Sequence, residues 1–120
     1  MPSRRWLQAR RWLRALCVAA LSVAVGVAAA ESQQQAAAAT HTVIIENMQF
    51  NPAQLHVRRG DRIVWVNKDL FPHTATAVSH SFDSGSIAAE ASWTYVVSKG
   101  GEYPYGCSFH PSMKGTIQVE

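Results

Sequence analysis

Acidic residues are missing from the start of this sequence. The first thirty of its 120 residues contain no aspartate or glutamate, but they include five of its eleven basic residues. The rest of the chain has six basic and eight acidic residues, so its formal charge is −2 with neutral histidines. The excess of positive charge therefore belongs to the first thirty residues, and it does not indicate a nucleic-acid partner for the rest of the chain.

The basic start continues into an uncharged, alanine-rich run that is typical of a secretory signal peptide. Arg14 is the last charged residue before this run, and the three alanines at 28–30 resemble a cleavage site. The run is shorter than the ~20 residues that a membrane-spanning helix needs. We therefore predict a signal peptide at 1–30 and export to the periplasm, with a tether to the membrane if the leader is not cleaved. Residues 31–39, rich in glutamine and alanine, predict a flexible linker.

Cysteine is scarce as well, since the chain has only Cys17 and Cys107. Two cysteines exclude the multi-bridge framework of small disulfide-rich domains. Cys17 lies inside the apolar run and is assigned to the leader, so removal of the leader leaves one cysteine and no internal disulfide. An unpaired thiol in an exported protein calls for an explanation, and a bound metal ion would occupy it.

Amphipathic helical periodicity is absent after the leader, and short alternating runs separated by turn residues take its place. Such runs are typical of β-strands, and they occur at 42–46, 54–58, 63–66, 73–78, 93–97, 103–107 and 115–119. About seven short strands within residues 40–120 predict a single all-β domain, a Greek-key β-sandwich.

The alternation also predicts where individual side chains point. Met48 and Phe50, two residues apart, are expected on one side of the sheet. His41 and His56 are expected to face solvent. Phe82, in the loop 79–86, is expected to fill the core.

Four side chains that bind soft metals stand where the predicted strands turn. Cys107, His110 and Met113 recur at a spacing of three, and His73 comes from a separate loop upstream. A turn can bring three such side chains to one point, whereas alternate residues of a straight strand face away from each other. A thiolate, two imidazoles and a weak thioether are the ligands of an electron-transfer copper site. Zinc prefers cysteine, histidine or carboxylate ligands to methionine.

Each of these residues has an ordinary structural explanation when taken alone. A lone methionine usually fills a gap in a core, and a lone cysteine behaves as a small hydrophobe. A Cys–His nucleophile pair is the enzymatic alternative. A sandwich this small offers little room for a substrate cleft, so we expect that the protein is not an enzyme.

Residues 40–120 resemble the cupredoxins of the plastocyanin and amicyanin group. The matching stretches are 48–52, 57–67, 71–74 and 105–115, and the Cys107-x-x-His110-x-x-Met113 spacing is similar to the short ligand loop of amicyanin. The resemblance implies that His73, Cys107 and His110 are the equatorial ligands and Met113 the axial ligand of one copper ion. Thr74 stands where many relatives have an asparagine that braces the cysteine loop, and threonine can hydrogen-bond in its place.

The resemblance also implies a function. We expect a type 1 (blue) copper protein, a monomer, that carries single electrons between an exported donor and an exported acceptor. The alternative is a periplasmic copper storage or delivery protein. Delivery sites are usually exposed and rich in methionine or histidine, whereas Met48 and Met113 are the only methionines after the leader.

Overall fold

The structure is a computed structural model that describes residues 36–120. The predicted leader, Cys17 and most of the predicted linker lie outside these residues. The described part contains eight strands and no helix: β1 Thr40–Glu46, β2 Gln49–Asn51, β3 Gln54–Val57, β4 Arg62–Asn67, β5 Thr76–Ala77, β6 Ser92–Val96, β7 Gly101–Gly106 and β8 Lys114–Val119. Accordingly, nothing in residues 36–120 forms a helix that could cross a membrane.

The strands form two four-stranded sheets, which we call sheet A and sheet B. Sheet A has the order β2-β1-β4-β6 and sheet B the order β3-β8-β7-β5. The pairs β1–β4 and β3–β8 are parallel, and the other neighbours are antiparallel. Because the chain changes sheet repeatedly, segments distant in sequence become neighbours. The predicted all-β sandwich is confirmed.

The core between the sheets follows the alternation of the strands. Along β4, Ile63, Trp65 and Asn67 are buried while the residues between them are more exposed. Phe82 reaches the core from its loop, as predicted, and its ring centroid lies 5.7 Å from that of Trp65. Each such aromatic pair contributes about 0.5–1.5 kcal/mol beyond the burial of its area. Phe82 thereby joins its loop to the hydrophobic core.

Two predicted orientations are wrong. Phe50 is buried, but Met48 is 37% exposed, because Asn47 and Met48 adopt positive φ angles in the β1–β2 turn and interrupt the alternation. His41 is half-buried, and its Nε2 lies 2.9 Å from Asp61 Oδ2. His41 shares the parity of the buried Val43 on β1, so it points toward the inner side at the end of the sandwich. His56 faces solvent, as predicted.

Asp61 ties the beginning of the described chain to the turn before β4. Its carboxylate accepts hydrogen bonds from the main-chain amides of Ala39 (2.9 Å) and Arg58 (3.0 Å) in addition to the contact with His41. The hydrogen bonds from Arg58, Ala39 and His41, in that order of size, lower the pKa of Asp61 to about 2. Its charged form is therefore favoured by the fold.

Candidate metal centre

Three of the four predicted ligands meet at one end of the sandwich. The Nδ1 atoms of His73 and His110 are 3.1 Å apart, and Cys107 Sγ lies 3.8 Å from His73 Nδ1 and 3.6 Å from His110 Nδ1. Donor atoms bound at about 2.0–2.3 Å to one ion lie roughly 3–4 Å apart when the angles are near trigonal. The three separations fall in that range. The donor set therefore fits one metal ion without rearrangement.

His73 is held from three sides. Its main-chain N–H and C=O are hydrogen-bonded to Ile87 at 3.1 and 2.7 Å, and its side chain is fully buried. Its Nε2 lies 2.9 Å from Asp69 Oδ2. An ionised carboxylate only accepts hydrogen bonds, so Nε2 carries the proton and Nδ1 presents its lone pair to Cys107 and His110. The fold thus selects the ring tautomer that binds a metal.

Asp69 joins His73 to the β1–β2 turn. Its two oxygens also accept from the amides of Asn47 (2.8 Å) and Met48 (3.0 Å), the two residues with positive φ. Desolvation acts to raise the pKa of Asp69, but the hydrogen bonds from Met48, Asn47 and His73 together outweigh it and lower the pKa. The same carboxylate stabilises the turn and orients the histidine.

Asn67, the last residue of β4, supports the loop that carries His73. Its Nδ2 donates to the carbonyls of Phe71 (2.7 Å) and Ile87 (3.0 Å), and its Oδ1 accepts from the Asp69 amide (3.0 Å). Buried side-chain amides are stable only when they are hydrogen-bonded in this way. Neither Asn67 nor Asp69 is among the residues predicted from the sequence. The available signal was a polar residue at an inward position of β4, followed by a carboxylate four residues before His73.

Cys107 follows directly after β7, and its side chain is 5% exposed. Its amide donates to the Met113 carbonyl at 3.3 Å, which extends the β7–β8 ladder by one step and closes the loop 107–113. A Cβ on the preceding Gly106 would lie 2.9 Å from that carbonyl, so a side chain there would push the loop open. The Cys107 Sγ accepts from the Thr74 amide at 3.3 Å.

Thr74 braces the cysteine loop through its hydroxyl and its main-chain amide. Its Oγ1 accepts from the amide of Ser108 at 2.8 Å. Its own amide is the donor to Cys107 Sγ, so one residue contacts both sides of the Cys107–Ser108 peptide. The loop of the first histidine and the loop of the cysteine are therefore fastened together next to the candidate site.

His110 and Met113 complete the loop. His110 is half-buried, and its carbonyl accepts from the Met113 amide at 3.0 Å, which makes a tight turn. Met113 is almost fully buried at the end of this turn, where β8 begins. Phe109 and Pro111, the chain neighbours of His110, are exposed, and so are the apolar residues before His73: Leu70 (87%), Phe71 and Pro72.

Comparison with known proteins places this arrangement in a family context. The family model of the cupredoxin-like domain matches residues 18–119. The amicyanin of Paracoccus denitrificans is 29% identical over 83 residues, which cover 65% of this chain and 63% of that protein. The amicyanin-alpha of Methylorubrum extorquens is 25% identical over 119 residues, which cover 95% of this chain and all of that protein.

Solved structures show the same relationship. A Cu(I) form of an amicyanin variant superposes with a TM-score of 0.64 at 27% identity, covering 68% of this chain and 82% of that chain. A copper-containing nitrite reductase from Thermus scotoductus reaches the same TM-score at 29% identity, but only 22% of that chain is covered. The similarity to the reductase is thus confined to a small part of it.

Proposed function

This chain belongs to the cupredoxin-like family, and from that premise we propose that it is a blue copper protein that carries single electrons between redox partners. One copper ion would be held by the Nδ1 atoms of His73 and His110 and by Cys107 Sγ, with the Met113 thioether as a weaker fourth ligand. When bound, copper supplies a one-electron change between Cu(II) and Cu(I). Thiolate and thioether ligands suit both states.

The observation that carries the proposal is the preorganised set of three donor atoms, 3.1 to 3.8 Å apart. His73 cannot turn without breaking its bond to Asp69, and Cys107 is fixed by the amide of Thr74. Because these two ligands are held by the fold itself, a change of charge at the metal requires little movement of the protein. A small rearrangement is what rapid electron exchange needs.

The surroundings favour a carrier over an enzyme. Cys107 is almost completely buried and its sulfur already accepts a hydrogen bond, so it is poorly placed to attack a substrate. His110 is the more exposed ligand, and two exposed phenylalanines lie close to the ligands in the chain, Phe109 next to His110 and Phe71 two residues before His73. An exposed apolar patch of this kind suits docking, and a small interface suits an encounter between redox proteins that must separate quickly.

The proposed setting is the periplasm. A leader at 1–30 and a linker at 31–39 would deliver the domain 40–120 as an exported monomer, and the donor and acceptor would be other exported redox proteins. An uncleaved leader would instead tether the domain to the membrane. N-terminal sequencing of the protein recovered from the periplasmic fraction tests the leader. Recovery from the cytoplasm with an intact N-terminus would contradict it.

Titration of the purified copper-free protein with Cu(II) tests the function. We expect one copper per chain and an intense thiolate-to-copper absorption band. Cys107→Ser should fold but lose the band, since the thiolate is the ligand. His56→Gln, at an exposed histidine of β3, is the control and should leave the spectrum unchanged. A pale spectrum with copper readily lost to a chelator would instead favour a copper storage or delivery protein.

A further inference from the structure

Three hydroxyl groups and one carboxylate form a continuous chain beside the cysteine loop. Thr74 Oγ1 lies 2.9 Å from Thr76 Oγ1, which lies 3.1 Å from Ser108 Oγ. Thr76 Oγ1 donates in turn to Asp83 Oδ1 at 3.1 Å. The chain thus runs from the residues that contact the Cys107 peptide to the loop 79–86, which the function proposed above does not use.

The Asp83 carboxylate sets the direction of every hydrogen bond in this series of side chains. An ionised carboxylate only accepts, so the single hydroxyl proton of Thr76 points to Asp83. Both lone pairs of Thr76 Oγ1 are then free to accept from the hydroxyls of Thr74 and Ser108. With its proton committed to Thr76, Thr74 Oγ1 presents a lone pair to the Ser108 amide, the bond observed at 2.8 Å.

We propose that Thr76 and Asp83 are positioning residues for the cysteine loop, and that they act on the metal centre through Thr74. The effect on the reduction potential rests on the proposed copper function, whereas the effect on the position of the cysteine loop does not. Thr74 receives the Ser108 amide and gives its own amide to Cys107 Sγ. Orientation of the Thr74 hydroxyl by Asp83 therefore favours the bond from the Ser108 amide, and that bond holds the Cys107–Ser108 peptide beside the Thr74 amide that donates to Cys107 Sγ. A hydrogen bond to a thiolate withdraws electron density from it, which favours Cu(I) over Cu(II).

The competing explanation is that Asp83 only shapes its own loop. Its Oδ1 also accepts from the Gly85 amide at 2.9 Å, and Ser84 Oγ accepts from the Ala75 amide at 2.7 Å. Thr76 and Asp83 are also paired as an isolated bridge. Loss of stability in a variant would thus be expected from either explanation. The decisive measurement has to report on the Cys107 brace itself.

The experiment uses two readouts on the full chain. Thr76→Val removes the hydroxyl at nearly constant volume. In the copper-free protein the Ser108 amide should then exchange its hydrogen about fivefold to tenfold faster, the factor expected for one weakened hydrogen bond. In the copper-loaded protein the affinity ratio of the two oxidation states should move toward Cu(II) by a factor of roughly three to ten. A tenfold change in that ratio corresponds to about 59 mV for one electron.

Rescue and control variants separate positioning from folding. Thr76→Ser restores the hydroxyl and should return both readouts toward the original values. Asp83→Asn keeps an acceptor oxygen without the charge and should shift both in the same direction by less, which provides the test if Thr76→Val does not fold. Ser81→Ala removes a hydroxyl of the same loop whose one hydrogen bond within residues 36–120 is to Ser79 Oγ at 2.9 Å, and it should change neither readout.

The outcomes are distinct. If Thr76→Val or Asp83→Asn destabilises the protein while Ser108 exchange and the reduction potential stay at their original values, the chain of hydroxyls serves the loop alone and the inference is wrong. If exchange accelerates but the protein gives no blue copper spectrum, the positioning role stands and the proposed function fails.

Discussion

Removal of the Asp69 carboxylate gives the most direct test of how the fold prepares its metal centre. In Asp69→Ala the Nε2–H of His73 loses its acceptor, and His73 is fully buried, so water cannot replace that acceptor easily. The amides of Asn47 and Met48 lose theirs as well, but these lie in an exposed turn where water is available. We therefore expect the histidine to account for most of the loss.

The magnitude follows from these contacts. A buried polar group left without a partner costs about 1–3 kcal/mol, and an ordinary hydrogen bond contributes about 0.5–1.5 kcal/mol. The copper-free variant should therefore unfold with a free energy lower by about 2–4 kcal/mol. For a domain of this size each kcal/mol shifts the melting temperature by roughly 4–8 °C. Loss of the partner that orients a histidine ligand typically weakens metal binding by about 10–100-fold.

Two assays check the prediction. Thermal unfolding of the copper-free protein measures the first loss, and competition with a chelator of known copper affinity measures the second. Glu90→Ala is the matched control, since this carboxylate pairs with Lys68 at 3.3 Å on the exposed surface of the same region. Its removal should cost no more than about 1 kcal/mol. Equal behaviour of the Asp69 and Glu90 variants in both assays would refute the orienting role of Asp69.

Three further predictions concern other parts of the domain. Hydrogen bonds from main-chain amides, that of Arg58 first, lower the pKa of Asp61 from 3.8 to about 2. The stabilisation by the charged carboxylate is therefore complete above pH 4 and is lost as the pH falls toward 2. In Asp61→Asn the free energy of unfolding should depend less on pH between 4 and 2, and an unchanged pH dependence would contradict this. Gly115→Ala would bring a Cβ within 2.5 Å of the buried Tyr105 ring and should lower the free energy of unfolding by about 1–3 kcal/mol. Urea unfolding measures this loss, and an unchanged midpoint would contradict the prediction. Pro111→Glu should slow electron exchange with the partner far more than Arg58→Glu does, and the exchange rate should depend only weakly on salt concentration. Stopped-flow rates that respond equally to both substitutions would place the docking surface away from His110.

The strands and the four candidate ligands could be predicted from the sequence because both signals are local. Alternation of apolar residues located seven of the strands to within a few residues, and β2, only three residues long, was too short for that signal. The spacing of Cys107, His110 and Met113 marked a loop able to turn three side chains toward one place. His73 could be added because its chemistry matches that of the other three, not because its position was known.

The residues that support the centre could not be predicted, because their roles depend on contacts between distant segments. Asp69 acts on a turn more than twenty residues earlier in the chain. Asp83 reaches the Ser108 region only through Thr76, from a loop whose path the strand pattern does not determine. Met48 was misplaced for a related reason, since two consecutive residues with positive φ break an alternation that the sequence otherwise continues.

The two histidines of the centre are held in different ways, and the difference suits the two properties that the proposed electron carrier needs. His73 is part of the sandwich, fixed through its main chain by Ile87 and through its ring by Asp69. His110 belongs to a short loop, and the one main-chain hydrogen bond that it makes within the described residues is to Met113. Its ring packs against that of His73 at a centroid distance of 4.8 Å. The rigidly held His73 limits the rearrangement that accompanies a change of charge. The half-buried His110 brings the proposed copper close to the surface. The proposed carrier needs both properties, since it must change its oxidation state with little movement and still exchange electrons across a small apolar contact.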